Sequence, residues 1–119
     1  YILDTRAADA NFSAFDTLIA LVGHTHLPVA FSLMENEGRI LRKPVKPEKP
    51  YSIEIKSIIN PGSVGQPRDY DPRASFAILD TETMSWENHR VAYNIPAVQE
   101  RIRKLGMPEK HALRLSEGW

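Results

Sequence analysis

Cysteine is absent from the 119 residues, neither sign of charge is in excess, and no apolar run is long. Without thiols there is no disulfide framework, no thiolate zinc site and no cysteine nucleophile, and a reducing cytoplasm is the expected compartment. Lys and Arg number 15 against 15 Asp and Glu. That balance leaves no electrostatic footprint for a polyanion, so bulk nucleic-acid binding is disfavoured. The longest uninterrupted apolar run, Leu18 to Val22, falls far short of the roughly 20 residues that span a bilayer, and no basic-then-apolar signal stretch precedes it. An initiator methionine is also lacking. The chain opens at Tyr1 inside sequence that reads as structured, and the expectation is a piece of a longer protein.

With 42% hydrophobic and 25% charged positions, the composition is that of one ordinary soluble domain able to build a core without disulfides. Ala8, Phe12 and Phe15 recur at helical spacing, which predicts a short helix over Ala7 to Phe15. Leu18 to Val22 has the length of a strand buried on both faces and stops at Gly23. Pro28 to Met34 reads as a second strand with Arg39 to Leu41 as its hairpin return. Prolines 44, 47 and 50 and lysines 43, 46 and 49 repeat with the period of a polyproline II helix. Such a segment suits a semi-rigid connection between strands, or a ligand for a proline-recognising domain. Tyr51 to Ile59 reads as one strand, Asn60 to Arg73 as a long loop of the kind that carries function, and Phe76 to Leu79 with Trp86 to Tyr93 as a hairpin. Helices follow Pro96 and Pro108. The order of elements indicates α/β or α+β architecture.

Two constellations can carry chemistry. Gly23-His24-Thr25-His26 directly follows the first strand. Residues two apart in extended chain face one side, so both imidazoles can enter one cleft, where they suit a zinc-like or manganese-like ion. A pair of polar turn residues is the other reading. Asn60-Pro61-Gly62-Ser63-Val64-Gly65 also follows a strand. Its spacing excludes a Gly-x-Ser-x-Gly nucleophile elbow and a phosphate-binding P-loop, and leaves a structural turn or a clamp of the KH RNA-binding kind over Gly62 to Gly65. Arg68 and Arg73 flank Asp69, Tyr70 and Asp71. Near a metal they would suit a phosphate ester; otherwise they form solvated ion pairs. His89 and His111 stand isolated and are assigned no function.

Taken together, Val22 to Pro28, Ile59 to Arg68 and Asp71 to Ser75 resemble the C-terminal half of a calcineurin-like metallophosphoesterase, nearest to small prokaryotic phosphodiesterases. The resemblance implies an α/β fold, the C-terminal half of a four-layer α-β-β-α sandwich with mixed sheets and a helical tail, residues 1–119 forming part of a single domain. It implies a binuclear centre of two divalent ions, Mn, Fe, Zn or Ni, with His24 and His26 as ligands to different metals. The ions would polarise the phosphoryl oxygens and generate an attacking hydroxide. Asn60, Ser63, Arg68 and Arg73 are the candidate groups for binding the phosphate. The family's Asp-x-His, Gly-Asp and Gly-Asn-His-Asp motifs are not in this chain, so its expected partner is a missing N-terminal half, and the isolated fragment is expected to be inactive. A phosphoester is the expected substrate, nucleic acid entering only as one. A homo-oligomer is compatible with the sequence. The rival reading is a degenerate, non-catalytic scaffold module.

Overall fold

Asp4 opens the first helix: its Oδ1 accepts the Ala7 N–H at 2.8 Å, satisfying one of the orphan donors of the first turn. In the computed structural model, which describes residues 1–119, this helix, α1, spans Thr5–Phe12. It therefore starts earlier than the apolar spacing predicts and stops before Phe15. Ala8 and Phe12, four apart on one face, are buried against Val29, Phe31 and Ile58, and Phe15 joins the same cluster from beyond the helix end.

Seven strands follow: β1 (Ile19–Leu21), β2 (Pro28–Met34), β3 (Arg39–Pro44), β4 (Pro50–Ser52), β5 (Ser57–Pro61), β6 (Ala74–Asp80) and β7 (Ser85–Val91). They form a mixed sheet in the order β1-β5-β2-β3 and an antiparallel sheet in the order β4-β7-β6. A three-residue 3-10 turn, Glu35–Glu37, and a left-handed Gly38 make the corner between β2 and β3. Alternation along β2 divides the core in two. Val29 and Phe31 point to α1, while Ala30 points the other way to Ile59, Ile53 and Trp86, with which it forms the layer between the sheets. Helices α2 (Ile95–Lys104) and α3 (Glu109–Glu117) pack on each other as the tail. The α/β class with mixed strands and a helical tail is as the sequence predicts.

Three local expectations are corrected. The first strand is not buried on both faces: Leu21 is 64% exposed, because β1 pairs only with β5 and forms the edge of its sheet. Tyr51 to Ile59 is not one strand but two in different sheets. Apolar residues continue through the crossing because Ile53 is buried on leaving β4 and Ile58 and Ile59 on entering β5, although Ile53 and Ile58, five apart, are out of phase for a single strand. The proline-lysine segment is not a polyproline helix. Pro44 closes β3, Pro50 opens β4, and Glu48 between them has a φ of +58°, so the segment is a strand-to-strand turn, held where the Tyr51 hydroxyl accepts the Lys46 N–H at 2.8 Å.

Candidate metal centre

β1 and β5 are parallel neighbours, with Leu21 opposite Ile59, so their carboxyl ends release two loops side by side. That is where open α/β sheets gather ligand groups. One loop is Gly23 to Leu27 and the other begins at Gly62, just after Asn60 near the end of β5. The sequence-distant His-x-His and Asn-Pro-Gly-Ser segments are thereby brought into contact.

The backbone of the first loop is unusual. His24 has a φ of +74° and His26 of +62°, a region that residues other than glycine enter at a cost and that Glu48, Tyr70 and Met84 also enter in other turns of this chain. The Thr25 N–H donates to the Gly23 carbonyl at 2.9 Å, so His24 sits at the centre of a tight γ-type turn. The His24 side chain is exposed and lies against the Tyr1 ring, tilted by 36° with centroids 4.1 Å apart. His26 is half-buried, and its Nδ1 lies 2.6 Å from the Gln66 carbonyl oxygen. A carbonyl only accepts, so Nδ1 carries the proton and the lone pair of the neutral ring lies on Nε2. This is the arrangement metal-ligating histidines show, the second ring nitrogen donating to a carbonyl or carboxylate. The donor chemistry of the two imidazoles fits a divalent transition ion. No third histidine, aspartate or glutamate comes together with them into a ligand group.

Of the other predicted site residues, Asn60 lies beneath the turn, 1% exposed. Its Nδ2 donates to the Gly23 carbonyl at 3.2 Å and to Thr25 Oγ1 at 2.9 Å, and its Oδ1 accepts the Gly62 N–H at 3.0 Å. Ser63 Oγ accepts the Gln66 N–H at 3.0 Å, tightening the turn that presents the Gln66 carbonyl to His26. Arg68 is exposed, and its Nε and Nη2 donate to Gln66 Oε1 at 3.2 and 2.8 Å. Arg73 is not part of this group; it forms a two-pronged pair with Asp71, the shortest contact 2.6 Å. The hydrogen bond from Arg73 holds the Asp71 carboxyl below the usual range for an aspartate.

Sequence reasoning missed Gln66, Thr25 and the anchor of the long loop. That anchor is Arg90 on β7, whose side chain is almost wholly buried and donates to the Asp69 carboxylate and, at 3.2 Å, to the Arg73 carbonyl. The signal was available: Trp86, Asn88 and Arg90 alternate along β7 and are all buried, so counting in twos from the tryptophan puts the arginine inside. Gln66 meets His26 through its backbone carbonyl, a contact that carries no signal of residue type.

No family model matches the chain. A metallophosphoesterase from Sphaerobacter thermophilus superposes on all of it with a TM-score of 0.93 and 40% identity, the match spanning 49% of that protein. The chain is related to the metallophosphoesterase superfamily. Its fold matches the C-terminal half of that protein, with the histidine turn and the Asn60 loop on the side where β1 and β5 end. An uncharacterized protein of Methanocaldococcus jannaschii is 41% identical over 101 residues, covering 84% of this chain and 39% of its own length. A hypothetical protein of Pyrococcus horikoshii is similar in fold, with a TM-score of 0.67 and 22% identity over 99% of this chain and 39% of its own. This metallophosphoesterase-related chain thus spans half or less of the proteins it matches.

Proposed function

We propose that this chain is the C-terminal half of a metal-dependent phosphoester hydrolase, a phosphodiesterase in preference to a monoesterase, in which His24 and His26 are metal ligands. The observation that carries the reading is the turn itself. Two histidines in left-handed backbone on either side of Thr25, with the Gln66 carbonyl on His26 Nδ1 leaving Nε2 to ligate, support the reading. The bound divalent ions of such a centre would polarise the phosphoryl oxygens and supply the nucleophilic hydroxide. What this chain adds is the pair of imidazoles, held in place from below. Arg68, exposed on the same loop and oriented by Gln66, is the guanidinium best set to meet a phosphate oxygen. Carboxylate ligands would come from the remainder of the same domain, since bridged hard ions need oxygen donors besides imidazole.

The test is made in the complete protein. His24→Ala and His26→Ala are each expected to abolish hydrolysis of an aryl phosphodiester in the presence of manganese. Turnover undiminished in either variant would exclude that residue as a ligand, and in both would overturn the reading.

A further inference from the structure

Asn60 is fully enclosed, and both of its amide hydrogens and its carbonyl oxygen already have protein partners. It has no donor left to offer a phosphate. Its two acceptors, the Gly23 carbonyl and Thr25 Oγ1, flank His24 in sequence, and Thr25 is itself 5% exposed. The side chain therefore grips the turn on both sides of its strained centre. The same Gly23 carbonyl accepts the Thr25 N–H, so one oxygen closes the turn and ties it to β5. Through Oδ1 the residue also holds Gly62, where the second loop leaves β5.

We propose that Asn60 is a positioning residue: a buried amide that keeps the Gly23 to His26 turn in the backbone conformation from which both imidazoles are presented to a metal. The inference rests on the metal reading above but assigns Asn60 work distinct from binding substrate. An amide suits the position as no other side chain does. The carboxylate of an aspartate would face the Gly23 carbonyl oxygen without a hydrogen between them, and a smaller residue would reach neither that oxygen nor Thr25 Oγ1.

Two variants of the complete protein test this. Asn60→Asp removes both donations at constant shape. Thr25→Val removes one acceptor while leaving Asn60 in place, and serves if the first variant folds poorly. Ser32→Ala, which deletes the buried hydroxyl contact between Ser32 and Ser57 in the same sheet, controls for lost stability alone. Two quantities are read: the zinc dissociation constant by chelator competition, and the hydrogen-exchange rate of the Thr25 amide. Asn60→Asp and Thr25→Val are expected to weaken zinc binding about tenfold or more and to speed exchange at Thr25, with Ser32→Ala changing neither. Parent-like zinc affinity with an unchanged Thr25 amide, or equal losses in Ser32→Ala, would overturn the proposal. If the parent protein takes up no zinc, the metal reading fails, and exchange at Thr25 alone decides whether Asn60 holds the turn.

Discussion

Left-handed backbone at Gly62 is as necessary to the site as the histidines are. Its φ is +89°, and a Cβ built there would lie 2.7 Å from Ser75 Oγ and 2.9 Å from Ser75 Cβ. Ser75 cannot yield, because its hydroxyl donates to the Pro61 carbonyl at 2.6 Å and it is buried against Asn88. Gly62→Ala is therefore expected to destabilise the protein by at least about 1–3 kcal/mol, the strain of a non-glycine residue in such a conformation, read by urea unfolding. A loss under a few tenths would show that the loop relaxes. Asp71 makes a second prediction at this scale. Its pKa is depressed, chiefly by the hydrogen bond from Arg73, so its contribution to stability is present above the ordinary carboxylate pKa and is lost as pH falls through the depressed value. Thermal melts should show the parent losing stability below about pH 4 and Asp71→Asn lacking that portion of the loss; a constant difference between the two across the acid range would refute it. A tight turn at Pro61-Gly62 was legible in the sequence. The left-handed histidines were not, since nothing in an imidazole announces its backbone angle.

Strand β7 shows how an element couples the core to the site. Its inward face runs from Trp86, in the layer between the sheets, through Asn88, which donates to the Pro61 and Phe76 carbonyls at 2.9 and 3.0 Å, to Arg90 beneath the long loop. One strand thus braces β5, β6 and the loop that carries Gln66. Removing one member of a buried ion pair leaves the other unmet, but Asp69 is about one quarter exposed and can regain water. Arg90→Leu is accordingly expected to cost about 2–3 kcal/mol, below the 3–5 typical of fully enclosed pairs. In a double-mutant cycle with Asp69→Asn, additive losses would show that the pair does not act as a unit. At this scale the sequence was read well where periodicity and punctuation agree, as in the β6–β7 hairpin and the two tail helices. It misled where apolar residues continue past the end of an element: Ile53 and Ile58 read as one strand although five apart and so out of its two-residue phase, while the chain passes from one sheet to the other.

The whole molecule is more extended than its length requires, with a radius of gyration of 16.2 Å against about 13.5 Å for a compact domain of this size. The sandwich stands open on one side, where Leu21, Val22, Ile59, Ala77, Leu79 and Trp86 line an apolar slot of about 290 Å³ between the edge strands β1 and β6. Sequence patterning cannot reveal such an opening, because Leu18 to Val22 reads as doubly buried whether or not its second neighbour is present. An unpaired edge beside an apolar slot is a site for further pairing, and the proposed remainder of the domain is its expected occupant. Backbone alternation makes this testable at a single amide. The Val22 N–H donates to the Ile59 carbonyl, so along β1 the N–H of Leu21 points away from β5 toward the open edge. In the complete protein the Leu21 amide is expected to exchange slowly, at a rate comparable with amides in central β2, because another strand accepts it. Exchange at the rate of an unstructured chain would show that β1 remains an edge, and that the carboxylates proposed to complete the metal centre do not arrive by that route.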